Sequence, residues 1–340
     1  MIKKLFTSAL ILSMTALALT GCGSGGGSAE GTASNESAKE AETYTMKFAH
    51  VSAPDSHYHA GAEKFKEIVE KNSNGRIRVE IYPSGQLGGE KDLAESLKSN
   101  IVQAAIIAGT LPIIEPKFAV LDLPYLFDNY DDAHEKLSGE LGEKLFSLLP
   151  EKGLKGISWT ENGFRVITNS KKPIRTPDDL KGLKIRVPEN QAYVATFEAL
   201  GANPTPIAFP DLFSSLEQKV VDGQENPLPQ IYSNKFHEVQ DYLSVTHHLY
   251  GPAPIIMSLK FYESLPDDLK KVIDEAGIET QQYQWEVVQN MEKEIMEDLK
   301  TKGITIVEDV DVEKFKELTR PVYDEFEEIV GKELMDLARN

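Results

Sequence analysis

The sequence has a single cysteine, Cys22, among its 340 residues, which excludes an intrachain disulfide. Beyond its first nineteen residues it has no apolar run long enough to cross a bilayer. Basic residues are outnumbered, 36 against 54 acidic ones, and a net charge of −18 argues against nucleic acid or anionic lipid as the main partner. A Gly-x-Ser-x-Gly motif, a reactive-cysteine motif and a paired-carboxylate motif are also missing, so nothing here indicates an enzyme.

The N-terminal segment predicts processing signals rather than a folded domain. A short basic start and an apolar run over residues 5–19 are typical of a secretory signal peptide. The run ends in Leu19-Thr20-Gly21-Cys22, a bacterial lipobox pattern, which predicts removal of residues 1–21 and acylation of Cys22. The acyl chains would hold the protein on the outer face of the cytoplasmic membrane as a periplasmic or cell-surface lipoprotein. Residues 22–43, rich in Gly, Ser, Ala and Glu, then form a flexible tether.

The remaining chain of about 300 residues is long for one hydrophobic core and comfortable for two lobes. Strand and helix patterns alternate in its first part, the βαβ arrangement of an α/β lobe. We predict a first lobe over residues 44–165, completed by about 252–300. A second lobe covers 166–251 and is completed by the C-terminal segment.

Several local patterns give more detailed expectations. Apolar residues recur every three or four positions from Asp267, which predicts a helix over 267–302 that braces both lobes, with Gly277 as a break or kink. A buried strand is expected within 101–108. Three further expectations are a helix over 131–149, an apolar loop or strand over 119–127, and a short strand at Val220-Val221 before a turn at Gly223.

Arginine is scarce, with seven residues against 29 lysines, yet Arg165, Arg175 and Arg186 fall within twenty-two residues. A guanidinium holds a carboxylate with two parallel hydrogen bonds, so this clustering indicates an anion site, with surface ion pairs as the alternative. Apolar and charged residues alternate over 183–187, which places Arg186 on the polar side of a strand that ends at Pro188. In α/β proteins, ligand crevices commonly lie at the carboxyl ends of the sheet strands. Arg175 precedes a capped helix and is assigned to the surface.

The histidines do not predict a metal site. The two clusters, His57-Tyr58-His59 and His247-His248, lack helical i, i+4 spacing, and no cysteine or carboxylate cluster completes them. Residues 85–89 form a glycine-rich loop, but without the Gly-Lys-Ser/Thr ending of a phosphate loop. We therefore predict neither a metal nor a cofactor.

Short motifs recur along the chain at consistent spacing, among them Asn162-Gly163-Phe164-Arg165, Lys184-Ile185-Arg186-Val187-Pro188 and Gln224-Glu225-Asn226-Pro227. The full set covers residues 73–77, 83–88, 121–127, 162–165, 168–174, 179–188, 200–206 and 221–227. With these motifs the chain resembles the DctP-type substrate-binding proteins of TRAP (tripartite ATP-independent periplasmic) transporters, over essentially all of the region after the tether.

The resemblance implies an α/β, two-lobed periplasmic-binding-protein-like fold, with a ligand cleft between the lobes and a long helix spanning both. It implies no catalysis: such a protein closes on a small organic acid and delivers it to the membrane subunits of a permease driven by an ion gradient. We expect a monomer. By the same resemblance, Arg186 makes the principal carboxylate salt bridge, Arg165 and Asn226 are further polar contacts, and Phe209 packs on the ligand body. The predicted ligand-binding set is completed by His50, His59 and Glu90.

One departure from the family pattern concerns the ligand. Sialic-acid-binding members carry an acidic residue just after the strand that ends here at Ala108-Gly109, and this sequence has none there. The stretch around Asp55, His57 and His59 is closer in style to members that take smaller acids, so we favour a uronate, an aldonate or a keto-sugar acid. A C4-dicarboxylate or another hydroxy or keto acid is an alternative ligand. A ligand-sensing lipoprotein and, less favoured, a lipid-anchored hydrolase are alternative functions.

Overall fold

A computed structural model of the chain describes residues 42–339. The predicted signal peptide, Cys22 and almost all of the tether lie outside the described residues. Among the helices of residues 42–339, none combines the length and apolar composition that crossing a bilayer requires.

Twelve strands and thirteen α-helices are found in this range. The strands are β1 Tyr44–Ala49, β2 Ile77–Tyr82, β3 Ala104–Ile106, β4 Leu154–Ser158, β5 Glu161–Asn169, β6 Lys184–Val187, β7 Asn203–Pro206, β8 Gly223–Pro227, β9 Tyr242–Ser244, β10 Tyr250–Pro252, β11 Ile255–Ser258 and β12 Thr305–Val307. The helices are α1 His57–Asn72, α2 Glu90–Lys98, α3 Leu111–Ile114, α4 Tyr130–Ser138, α5 Glu140–Phe146, α6 Gln191–Ala199, α7 Leu212–Glu217, α8 Leu228–Ser233, α9 Leu259–Ser264, α10 Asp267–Leu299, α11 Val312–Thr319, α12 Pro321–Val330 and α13 Lys332–Arg339. The 3₁₀ turns include Pro116–Asp122, Pro177–Leu180 and Phe209–Asp211.

The first sheet has the strand order β2-β1-β3-β11-β4. Its strands β1, β2 and β3 run parallel because helical crossovers join them, as the βαβ pattern predicts, while β11 is antiparallel to both of its neighbours. Side chains alternate between two apolar cores: Ala105 packs into one, and Ala104 and Ile106 into the other. The predicted buried strand within 101–108 is therefore found, shortened to β3.

The second sheet has the order β12-β9-β5-β8-β6-β7, with β10 paired to β5. All nine residues of β5 are buried, because the strand has partners on both edges and helices on its faces. The two sheets and their helices form the two-lobed α/β fold that was predicted. The exact lobe boundaries stay a prediction.

Two of the chain's passages between the sheets are short and lie close together, and α10 makes a third, longer one between β11 and β12. Residues 159–160 join β4 of the first sheet to β5 of the second, and residues 253–254 join β10 to β11. Near the first crossing, Gly163 has φ +112°, and a Cβ there would lie 3.0 Å from the hydroxyl of Tyr130. A glycine is therefore required at the point where the strand passes from one lobe to the other.

The helix α10 has 33 residues, so it is about 50 Å long. Its first half contributes Leu269 and Ile273 to the core of the first sheet, and its last turns contribute Ile295 and Leu299 to a core of the second. In between, Gln284 accepts from the backbone N–H of Glu161 (2.8 Å) and donates to its carbonyl (2.6 Å). The helix is thus fixed to both cores and to the strand between them.

The expected break at Gly277 is wrong, since α10 runs through this position as one continuous helix. A Cβ at this position would lie 2.8 Å from the carbonyl oxygen of Ile157 on β4. The glycine therefore permits close packing of the helix against the first sheet.

Two other local expectations need correction. The helix over 131–149 is divided into α4 and α5, because Gly139 takes an extended conformation (φ −100°, ψ −155°) that ends α4. Val220-Val221 is not a strand: the N–H of Val220 donates to the carbonyl of Ser215, which closes the end of α7. Gly223 begins the strand β8 rather than forming a turn. The apolar stretch over 119–127 is mainly the 3₁₀ turn Pro116–Asp122 and a loop.

Candidate functional site

A cavity of about 30 Å³ lies where loops of the two lobes meet the crossing strand β5. A single water requires roughly 10–15 Å³ by the same measure, so a larger solute would need the lining side chains or the lobes to move. The lining residues are Val51, Tyr58, Glu90, Ala108, Gly109, Thr110, Asn162, Arg165, Arg186, Pro188, Glu189, Ala208, Phe209, Asn226 and Gln230. Five of the seven predicted ligand-binding residues are in this set.

Arg165 lies on β5 and is only 2 % exposed. Its Nε and Nη2 donate to the two carboxylate oxygens of Glu225 on the neighbouring strand β8, the second at 2.7 Å. Nη2 also donates to the Glu225 carbonyl (2.9 Å) and to Oδ1 of Asn226 (3.1 Å). This bidentate pair leaves Nη1 as the part of the guanidinium that can serve a ligand.

The pair of Arg165 and Glu225 is ionised on both sides. Burial alone would raise the pKa of the Glu225 carboxyl, but the charge and hydrogen bonds of Arg165 outweigh it and the net pKa is lowered. Conversely, burial would lower the pKa of Arg165, and Glu225 raises it overall. His248 supports the pair from behind, with Nε2 3.3 Å from a Glu225 oxygen. Its pKa is lowered by burial, so this imidazole is neutral.

Arg186 lies on β6, is also 2 % exposed, and has a different environment. Its Nε and Nη2 both donate to the carbonyl oxygen of Ile207, at 2.8 and 2.7 Å. Within residues 42–339 it forms no ion pair with a carboxylate. Burial, together with repulsion from Arg165, lowers its pKa to about 10 despite the fields of Glu225 and Glu90. A buried guanidinium without a counter-ion is unfavourable until an anion reaches it.

Glu90, at the start of α2, brings a carboxylate to the first-lobe side of the cavity. Its Oε1 accepts from the backbone N–H of Ala108 (3.0 Å) and its Oε2 from the hydroxyl of Thr110 (2.8 Å). Burial raises its pKa, and these hydrogen bonds and the two arginines only partly offset this effect. The residues that directly follow β3 are not acidic, but the carboxyl group of Glu90 lies beside them. The absence of an acidic residue in this stretch of sequence is therefore no argument that the site lacks an acidic group there.

Asn226 lies within strand β8 and not in a turn before Pro227. Its Nδ2 donates to Oε1 of Gln224 (2.6 Å), and its Oδ1 accepts from Arg165. The Asn226 amide therefore helps to orient Arg165 at the cavity wall.

Phe209 begins a 3₁₀ turn and is half-buried at the cavity. Its ring packs edge-on against Phe236 (5.7 Å between centroids) and lies 5.8 Å from the guanidinium carbon of Arg186. It combines a core contact with a face available to a ligand body.

His50 and His59 are not among the residues that line the cavity. Nε2 of His50 lies 3.1 Å from Nδ1 of His59, and burial lowers the pKa of His50 to about 3, so it is neutral. His59 lies at the start of α1, with its other nitrogen 3.7 Å from Glu63. The lining position next to them belongs instead to Tyr58, which is buried. In residues 42–339 no group of three or more potential metal ligands is found.

Sequence reasoning missed several cavity residues, most clearly Gln230 and Asn162, which are both buried. The Oδ1 of Asn162 accepts a hydrogen bond from Nε2 of His57 (3.2 Å), and Asn162 belongs to the Asn162-Gly163-Phe164-Arg165 motif. Glu225 was missed as well, because its burial within strand β8 became evident only in the structure, where a carboxylate with no exposure needs a cation beside it.

Known proteins with similar sequences and structures share this architecture. The profile of the family described as "Bacterial extracellular solute-binding protein, family 7", DctP, matches residues 48–329. The C4-dicarboxylate-binding protein DctB of Bacillus subtilis is 36% identical over 294 residues, which cover 85% of this chain and 84% of that protein.

Two crystal structures of TRAP-type binding proteins are also similar. A TRAP periplasmic solute-binding protein from Polaromonas sp. JS666, bound to D-erythronate, is 38% identical with a TM-score of 0.85, over 88% of this chain and 98% of that one. The sugar acid binding protein of Advenella mimigardefordensis, in complex with galactonate, is 36% identical with the same TM-score, over 88% and 98%.

Proposed function

The chain belongs to the DctP family of bacterial extracellular solute-binding proteins, and we propose that its ligand is a small hydroxylated carboxylic acid bound in the cavity between the lobes. As a TRAP-type binding protein it works outside the cytoplasm in solute transport rather than in catalysis. Its partners are a small carboxylate and the membrane subunits of a TRAP permease.

The observation that carries the proposal is the state of Arg186. Its guanidinium is buried and held in place by the Ile207 carbonyl, yet it has no carboxylate partner in the described residues. A ligand carboxylate would complete this site with charge-assisted hydrogen bonds. Nη1 of Arg165, Asn226 and Gln230 would then meet the adjacent oxygen atoms, and Phe209 the carbon chain.

Glu90 supports a hydroxylated ligand over a plain dicarboxylate. An ionised carboxylate only accepts hydrogen bonds, so it suits a hydroxyl group and repels a second carboxylate. The proteins crystallised with D-erythronate and galactonate are consistent with such a ligand. A C4-dicarboxylate is the alternative, favoured by the name of the Bacillus subtilis relative and by the raised pKa of Glu90, which makes a protonated carboxyl accessible there.

Binding requires the lobes to part and close again. The cavity is too small to admit an organic acid as it stands, and two short crossings between the lobes, at residues 159–160 and 253–254, lie close together beside the long helix α10. We infer a hinge at residues 159–163 and 252–254. A ligand shifts the balance of open and closed forms only by its differential affinity for the two, so contacts from both lobes are needed.

A thermal-shift screen tests the proposed ligand class. Aldonates, uronates and keto-sugar acids should raise the melting temperature by mass action, and succinate should do so less at equal concentration. A screen with no carboxylate hit would overturn the proposal, and a preference for succinate would replace it by the dicarboxylate alternative.

We further propose that Cys22 is acylated and that residues 23–43 tether a monomeric binding protein to the outer face of the cytoplasmic membrane. The lipobox and the absence of another cysteine support this. Metabolic labelling with an alkyne fatty acid should mark the wild-type chain and not a Cys22→Ser variant. Labelling of both proteins, or retention of the Cys22→Ser variant in the membrane fraction together with wild type, would contradict the proposal.

A further inference from the structure

A polar contact beside the cavity joins the lobes through Asn190 and Asp122, neither of which lines the cavity. Asn190 follows strand β6 of the second lobe and caps helix α6, its Oδ1 accepting from the N–H of Ala192 (3.0 Å). Its Nδ2 reaches the first lobe and donates to the carbonyl of Gly109 (3.0 Å) and to Oδ2 of Asp122 (2.7 Å). Both N–H groups and the oxygen of the Asn190 amide therefore form hydrogen bonds, and two of these three bonds cross between the lobes.

Asp122 is the first-lobe partner, at the end of the 3₁₀ turn that packs on the first sheet. Its side chain is 1 % exposed, and no cation of the described residues forms an ion pair with it. The titratable groups that face it are Arg165 on β5, Glu225 on β8, Glu90 on α2 and Tyr193 on α6.

The charge state of this carboxyl follows from its burial. Burial raises the pKa of Asp122 to about 8; the Asn190 hydrogen bond and Arg165 act against the rise, and Glu225 and Glu90 add to it. Arg165 is already neutralised by Glu225, so it offers Asp122 little compensation.

We propose that Asp122 and Asn190 form a latch between the lobes, and that closing the cleft on a ligand takes up one proton on Asp122. The inference rests on the closing motion of the proposed function. In the open form Asn190 moves away with β6 and Asp122 meets water as an ordinary, ionised carboxylate. In the closed form the same carboxyl is dry, hydrogen-bonded to one amide, and protonated.

The pH dependence has a definite sign. Below the ordinary aspartate pKa of 3.8, Asp122 is protonated in both forms, and above about 8 it is ionised in both. Between these values only the closed form carries the proton, so affinity decreases as pH rises, by up to about tenfold per pH unit for one proton. Neither residue lines the cavity, so the effect is the same factor for every ligand.

Two variants separate the charge from the hydrogen bond. Asp122→Asn keeps the shape and still accepts from Asn190, so it should remove the pH dependence and bind more tightly than wild type at pH 8. Asn190→Asp keeps an effective helix cap but loses the amide donors and faces Asp122 with a second carboxylate, so affinity should fall at least tenfold. The double variant restores a donor opposite a carboxylate and should recover part of that loss.

The experiment is calorimetry of D-erythronate, galactonate and succinate at pH 7, in two buffers of different ionisation enthalpy. We expect uptake of close to one proton per ligand bound by wild type and a much smaller uptake by Asp122→Asn, with the ligand ranking unchanged in both variants. Binding to wild type without proton uptake, or equal uptake by Asp122→Asn, overturns the latch and leaves the proposed function intact. If wild type binds none of these carboxylates and no compound of the wider screen, both the latch and the proposed function are overturned.

Discussion

Arg165 and Arg186 lie at the same cavity, are equally buried, and differ in their partners. Arg165 has a carboxylate of its own, Glu225, which meets two of its nitrogens. Among residues 42–339, the hydrogen-bond acceptor of the Arg186 guanidinium is the carbonyl of Ile207, and no carboxylate pairs with it. The charge of Arg165 is therefore balanced without a ligand, whereas the charge of Arg186 is not.

The difference separates structural from binding roles in one site. Breaking a buried pair leaves an uncompensated charge and destabilises the fold, whereas removing an unpaired buried charge relieves desolvation. Arg165 should therefore matter to folding as well as to binding, and Arg186 to binding alone. Stability and affinity measured on the same variants can test that division.

The largest effect on stability is expected for Arg165→Ala. This change leaves Glu225 buried without its cation, which should lower the free energy of unfolding by about 3–5 kcal/mol in a urea titration. Arg175→Ala is the matched control, because Arg175 is half exposed and its ion pair with Asp309 lies at the surface (3.0 Å). The control should change stability by less than about 1 kcal/mol. Equal effects of the two variants would show that the buried pair has no special role.

Glu90→Gln should change ligand choice rather than folding. The variant loses a charged acceptor for ligand hydroxyls, which should weaken hydroxy acids by about 1.5–3 kcal/mol, and it removes the repulsion of a second carboxylate. A competition between D-erythronate and succinate, monitored by thermal shift, measures the change in ligand preference. A variant that keeps the wild-type ranking would mean that Glu90 does not contact the ligand.

The acid side of the stability profile should report the Arg165–Glu225 pair. The pKa of Glu225 is lowered from 4.5 in the folded state, so its contribution to stability is full above about 4.5 and is lost as pH falls through the folded value. Glu225→Gln should be less stable near neutral pH and should lose less stability between pH 5 and 3. Parallel profiles for the two proteins would indicate that the pair does not couple to unfolding.

The smallest effect on folding is expected for Arg186→Met. The thioether side chain has a similar length and no charge to desolvate, so the ligand-free variant should be as stable as wild type or more stable by up to about 1 kcal/mol. Thermal unfolding without ligand provides the measurement. A loss of several kcal/mol would mean that Arg186 is structural like Arg165.

The fold was largely predictable from the sequence because alternation and glycine positions are local signals. The two-lobed α/β arrangement, the first βαβ units and the long helix from Asp267 follow from such patterns, and the structure shows Arg175 at the surface as predicted. The break expected at Gly277 was wrong because a glycine in a helical pattern can mark either an interruption or a close neighbour, and the neighbour, Ile157, is distant in sequence.

The site was predictable mainly where a motif of the resembling family supplied a residue. Arg186, Arg165, Asn226 and Phe209 come together at the cavity, while their role in ligand binding stays a prediction. The pairing of Arg165 with Glu225 depends on the register of β5 with β8, which local pattern does not give. Glu90 was in the predicted set, but its contact with Ala108 could not be predicted from the sequence near Ala108, because Glu90 lies at the start of α2.

The most direct test of the different roles of the two arginines is calorimetry on Arg186→Met with the tightest hit of the carboxylate screen. Loss of the ligand carboxylate's charged partner should cost about 2–5 kcal/mol, a weakening of roughly 30-fold to several thousand-fold, with ligand-free stability retained. Arg175→Met, made in the same way, should bind as wild type does. Undiminished binding by Arg186→Met would contradict the assignment of Arg186 as the carboxylate site.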